Sequence, residues 1–269
     1  MNVAALRWVP RGLGLGLLAF AVFGPIGNLL LWAFAERWYW PHALPSKYGL
    51  AFWSRVFAPR ADAWGSLGLS LLIAVLAVIV SLLLAIPAGY ALARRDVPAR
   101  GVLMLLFLLP QAFPSLPIYM NIARLFYSVG LNGTVPGVVL VHCLHGLVLA
   151  VWISAASFAA VDSQQEEAAR NLGAGPLATF MTVTLPAALP GLMASAIFVF
   201  LDSLDEFTGT YFVGVPDIVT MPLLMFNAAM GGNYQIASIT ALVLLVPSIA
   251  FMLVIERFLK ADVLAKIGG

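Results

Sequence analysis

Three carboxylates close together, Asp202, Asp205 and Glu206, come nearest in type and spacing to a chemical site. They stand at i, i+3 and i+4, so a helix through them sets all three on one side. They fall in the last part of an apolar run, where a charge costs a few kcal/mol or more and is by default functional. Like charges so crowded repel unless a cation or water relieves them. The chemistry they offer is attraction of a cation along a path, not bond making. The competing reading is that the helix has already reached the outer interface and the acids are its solvated end. A second group, His142, Cys143 and His145, has no second cluster near it to complete the three or four ligands of a metal centre; these residues are expected to pack between helices. No GxxxxGK[ST] loop, HExxH, CxxC pair or GxSxG occurs. The chain is therefore expected to be no enzyme and to need no cofactor.

One other stretch stands out, residues 162–186, polar between two membrane-length apolar runs. Ser163 and Glu166 have the spacing of a capping box. The spacing predicts a short helix over about 164–172, with Gly173 as its left-handed stop. Pro176 suits the first turn of a second helix, on which Leu177, Phe180, Met181 and Thr184 follow at helical spacing. Two short helices around a glycine break make a compact knob outside the bilayer, the shape of a docking element.

The elements that must hold these groups are membrane helices. The chain is 62% hydrophobic and only 10% charged, against about 25% in a soluble domain. A net charge of +2 gives no reason to expect nucleic-acid binding, and the single cysteine excludes an internal disulfide. The apolar run at 12–35 reaches the ~20 residues of a span, more than the apolar core of a signal peptide, and is expected as the first transmembrane helix. Residues 36–64 carry Trp38, Tyr39 and Trp40, rings suited to headgroup level; 48–57 reads as a short interfacial helix or an aromatic loop. Further spans are expected at 65–93, 101–126, 137–160, 186–213 and 236–258. The third holds Pro110, Pro114 and Pro117 and is expected to break, either lining a pathway or kinked for packing. Residues 127–136 form an outer turn and 214–234 an outer segment.

Six spans put both ends on one side. Nine Lys and Arg fall on that side (Arg7, Arg11, Arg94, Arg95, Arg100, Arg170, Arg257, Lys260, Lys266) and five on the other (Arg37, Lys47, Arg55, Arg60, Arg124). The positive-inside rule then expects both termini and the docking loop in the cytosol.

The loop also carries a resemblance. Glu167-Ala168-Ala169, then Gly173, then Val183-Thr184-Leu185-Pro186 resembles the EAA signature of binding-protein-dependent ABC importer permeases, with Val183 where Ile is usual. The resemblance implies an all-α integral membrane protein of the type I ABC importer fold. Residues 1–269 would be a single transmembrane permease domain, with its core at about 65–258 and cytosolic coupling helices in 162–186. It implies that Glu166, Glu167, Ala168, Ala169, Gly173, Leu185 and Pro186 couple the chain to an ATP-binding subunit. The implied partners are a second permease, two ATP-binding subunits and an external or periplasmic substrate-binding protein, in a bacterial inner membrane. Ser203-Leu204-Asp205-Glu206-Phe207 and Thr220-Met221-Pro222-Leu223 look like spermidine/putrescine-type permeases. On that likeness Asp202, Asp205 and Glu206 would line the path of a polyamine or other small cation. Relatives for iron, thiamine, aminoethylphosphonate and sugars share the loop, so those solutes stay open. A proton- or cation-coupled secondary transporter is the alternative of another class; the inverted repeats common in such proteins are not visible.

Overall fold

A computed structural model describes residues 3–39, 41–58 and 62–267. Trp40 and Arg60 lie outside them, and for 3–12 and 258–267 the backbone alone is described. The chain divides into two compact units, 1–64 with 224–245, and 65–223 with 246–269. Among the described residues, five helices are long and apolar enough to cross a membrane, and a bent pair makes a sixth span.

In the first unit, α1 (Val3–Phe34) is apolar on every side from Leu13 onward, and Leu15, Phe20 and Phe23 are exposed. A helix of this kind needs lipid or another chain as its solvent. The next residues form a small hairpin, and a short helix follows it within the stretch 48–57 where one was expected. β1 (Ala35–Arg37) pairs antiparallel with β2 (Lys47–Tyr48), and α2 (Ala51–Val56) follows. Glu36 holds this corner: it pairs with Lys47 at 2.5 Å and accepts the Ala51 amide at 3.2 Å. The Lys47 contact, then the Ala51 amide, hold its carboxyl below the usual range. Trp53 donates Nε1–H to Ala33 O at 2.9 Å, so the amphipathic ring is both packed and satisfied. In the same unit Trp32 packs on Trp38 and Tyr234.

The second unit is built around α6 (Val135–Ala159). Its span is 61% buried, against 33% for α3 (Ala63–Arg94), which makes α6 the central helix. Thr134 caps it, accepting the Gly137 amide at 3.1 Å, in the turn expected at 127–136. Helices approach it where side chains are small. A Cβ on Gly89 of α3 would lie 2.6 Å from Ser154 Cβ and 2.8 Å from Ala155 N, a contact that only glycine permits. α9 (Leu185–Asp205) packs along the other side, with Gly146 of α6 against Val199.

The third span breaks as its prolines predict. α4 (Arg100–Ala112) and α5 (Ser115–Val129) meet at 95° across Phe113-Pro114. One boundary expectation fails. The fifth span does not run over 186–213: its helical path begins at Pro176 and ends at Asp205, and α10 (Thr208–Val213) is separate. Within the segment at 214–234, α11 (Met221–Met230) occupies the middle. Pro222 sits in the first turn of α11, where a missing N–H costs nothing. α12 (Tyr234–Ile267) closes the chain, unbroken through Pro247.

Candidate functional site

The loop at 162–186 folds as two short helices, α7 (Ser163–Asn171) and α8 (Pro176–Thr179), and the second runs without interruption into α9. The join is a π-helical turn, Phe180–Thr184. Asp162, not Ser163, caps α7: its carboxylate accepts the Gln164 amide at 2.9 Å. The expected capping box is absent because Glu166 is drawn elsewhere. Gly173 does end the helix, at φ +90°, with its own amide on Arg170 O and the Ala174 amide on Ala169 O. Those two bonds make a Schellman stop, which satisfies carbonyls the helix end would leave open.

The knob turns an apolar surface outward. Leu172 is 90% exposed and Leu177 71%, beside exposed Met181. Glu167, Ala168 and Gly173 are exposed with them, Ala169 and Leu185 are half-buried, and Pro186 is exposed in the first turn of α9. Leucines left this bare on a structured element mark a contact surface.

Glu166 faces the opposite way. It is 4% exposed. Its Oε1 accepts the Thr184 hydroxyl at 2.7 Å and lies 3.5 Å from Arg94 Nη2, while Oε2 lies 3.6 Å from Arg170. The Arg94 guanidinium also donates to Val161 O. Beneath this network Tyr90 of α3, Phe158 of α6 and Phe180 of the π-turn form an aromatic trio, with centroids 5.0 to 6.0 Å apart. Leu185, Ala188 and Leu192 pack in the same cluster.

The acids do not behave as one helical face. Asp202 is half-buried and Asp205 is exposed, both on the last turns of α9. Glu206 lies beyond the helix, in extended backbone at φ −76° and ψ 113°. There it bridges two elements: Oε1 accepts the Gly209 amide of α10 at 2.7 Å, and Oε2 accepts the Tyr119 hydroxyl of α5 at 2.8 Å. Tyr119 is fully buried, and its oxygen is also 2.8 Å from His145 Nδ1. A phenol has one proton, so a Tyr119 that donates to Glu206 accepts from His145 Nδ1–H. His142 spans Ser203 (2.7 Å) and Thr210 (2.8 Å) with its two ring nitrogens. The histidines thus pack between helices, as their number suggested, and tie α6 to the end of α9 and to α10. Gln111 donates to His145 O at 3.4 Å, just before the break between α4 and α5.

Sequence reasoning missed Tyr119, Arg94 and Thr184 as partners. Tyr119 gave a signal, a hydroxyl in a proline-broken span. Arg94 gave less, being one of several basic residues at a helix end.

Comparison with known proteins agrees with this geometry. The family of binding-protein-dependent transport system inner membrane components matches residues 81–261. A putative 2-aminoethylphosphonate transport system permease of Salmonella typhimurium is 29% identical over 265 residues, 95% of this chain and 98% of its own length. The trehalose transport system permease of Mycobacterium tuberculosis is 29% identical over 201 residues, 73% of this chain and 72% of its own. In fold, the chain is similar to a subunit of a bacterial ABC transporter involved in import of the acidic polysaccharide alginate. The TM-score there is 0.67 at 18% identity, over 96% of this chain and 98% of that one. With two thirds of its length matched, its spans in place and its polar knob formed, the chain belongs to the family of binding-protein-dependent transport system inner membrane components, as a multi-pass permease subunit of an ABC importer.

Proposed function

We propose that this permease pairs with a second permease and two ATP-binding subunits, takes its solute from an external binding protein, and moves a small solute carrying one ammonium group. In this reading the knob at 162–186 is the cytosolic contact for the ATP-binding subunit. Exposed Leu172 and Leu177 supply its apolar surface, Glu167 and Ala168 lie beside them, and Gly173 sets the angle between the two helices. Leu185 and Pro186 start α9, which carries the motion inward.

The observation that carries the substrate class is the division of labour among the acids. Glu206 already has two donors, which in this reading leaves Asp202 and Asp205 for the solute's ammonium group. Two carboxylates suit one ammonium better than the several of a polyamine. The polyamine suggested by the likeness at 203–207 therefore ranks below a zwitterion such as 2-aminoethylphosphonate, whose single ammonium would meet these acids with its anionic phosphonate turned away from them. That compound is also the one in the name of a relative matched over 95% of this chain. The experiment is uptake of labelled 2-aminoethylphosphonate by proteoliposomes holding the complete complex, with spermidine and trehalose as competitors. Uptake that Asp205→Asn reduces at least about tenfold supports the reading. Uptake of trehalose alone, or of spermidine in preference, replaces it.

A further inference from the structure

The α7 helix is joined to its surroundings by pliable covalent links. On one side the chain passes through 160–162 from α6. On the other it passes through Gly173-Ala174-Gly175 to α8, a linker with two residues that carry no side-chain restraint. A force applied to α7 from outside would be lost in such hinges unless a fixed contact crossed them. Glu166 makes that contact. It is buried on the side of α7 away from Leu172, and its Oε1 is shared by Thr184 of the π-turn and Arg94 of α3. Arg94 in turn holds Val161, just past the end of α6. One carboxylate therefore joins α7 to the cytosol-side ends of three spans. The π-turn belongs to the same device: such turns are rare and cluster at functional positions, and this one ends on Thr184. Arg170, at 3.6 Å but largely exposed, adds little.

We propose that Glu166 is a positioning residue that does not bind the ATP-binding subunit but transmits its movement, latching α7 to α3, α6 and α9 so that the knob and the span ends move as one body. This rests on the reading of the knob as the contact for that subunit. A latch of this kind separates holding the ATPase from being driven by it, and the two can be measured apart.

The test uses the complete complex in proteoliposomes, with the purified cognate binding protein as the probe. Thr184→Val keeps the shape of the side chain and removes the hydroxyl that Glu166 accepts from. Glu166→Gln keeps an acceptor for Thr184 and removes the charge that faces Arg94. The expected result for Thr184→Val is a complex with its full share of ATP-binding subunit and ordinary basal hydrolysis. Its stimulation by the binding protein falls about fivefold or more, the scale of a lost coupling between sites. Glu166→Gln is expected to lower stimulation in the same direction. Unchanged stimulation in both variants overturns the latch. So does loss of the ATP-binding subunit from the Thr184→Val complex, which would make the site a docking contact. A matching fall in assembled complex for both variants, with normal stimulation per complex, would make it a folding contact only. Leu172→Asp separates the underlying reading: if that complex keeps its ATP-binding subunit, the knob is not the contact, whatever Thr184→Val does.

Discussion

Replacing Gly173 by alanine is a perturbation whose cost comes almost wholly from the backbone. At φ +90° the residue lies in the left-handed region, and a Cβ built there has no heavy atom within 4 Å. There is no clash to relieve, so the cost is the left-handed penalty alone, about 1–2 kcal/mol. The chain can escape that cost only by opening the Schellman stop, which gives up the bonds from Gly173 N to Arg170 O and from Ala174 N to Ala169 O. Opening it disturbs the angle between α7 and α8, and with it the spacing of Leu172 and Leu177, while keeping it costs the penalty in full. If the ATP-binding subunit selects the native angle, the same free energy appears as weaker association. A penalty of ~1.4 kcal/mol is a tenfold change, so Gly173→Ala should raise the dissociation constant of the ATP-binding subunit about 5- to 30-fold. Asparagine tolerates this region better than other side chains, so Gly173→Asn should recover much of the loss. The assay is titration of detergent-solubilised permease with purified ATP-binding subunit, read by fluorescence anisotropy. Equal affinities for glycine, alanine and asparagine would refute the reasoning, because they would show that the angle set at 173 does not matter to the partner.

Other outcomes follow from the same geometry. Tyr119→Phe leaves Glu206 Oε2 and His145 Nδ1 without the hydroxyl between them. Leaving half-buried groups so unsatisfied costs about 1–3 kcal/mol at most, and a thermal midpoint lowered by roughly 5 °C in detergent is expected; an unchanged midpoint would show that water replaces the hydroxyl freely. For orientation, Ser46→Cys should react with an impermeant maleimide on intact cells and Gln165→Cys should not, both positions being exposed and Cys143 buried. Labelling of Gln165→Cys from outside would invert the orientation that the basic residues predict.

Much of this protein could be read before any coordinates, for identifiable reasons. Membrane spans were legible because lipid admits only long apolar helices with internally satisfied backbones. The break in the third span was legible because Pro114 cannot continue a helix ladder, and the structure turns there by 95°. Gly173 was legible as a stop because its role is local. Two of the failures are cases in which a distant partner overrode a local pattern. Ser163 and Glu166 have capping-box spacing, but the Arg94 and Thr184 contacts draw Glu166 inward, and Asp162 caps the helix. The spacing of Asp202, Asp205 and Glu206 is helical, but Tyr119 and Gly209 give Glu206 two donors outside the helix, and α9 ends before it. Nor could period alone show the hairpin of β1 and β2 that precedes the short helix at 51–56, since Glu36 reaching Lys47 and Ala51 holds that corner.

The central claim is that the face of the knob bearing Leu172 meets an ATP-binding subunit while the face bearing Glu166 stays within the permease. Photo-cross-linking from single introduced cysteines tests it most directly, with a benzophenone maleimide attached at position 172 or at position 165 in the assembled complex. Position 172 is 90% exposed on the apolar surface, and position 165 is exposed on α7. A probe at 172 is predicted to cross-link efficiently to the ATP-binding subunit, and the Gly173→Ala background is predicted to reduce that yield severalfold. No adduct with the ATP-binding subunit from position 172, in a complex that still hydrolyses ATP on addition of the binding protein, would contradict the account.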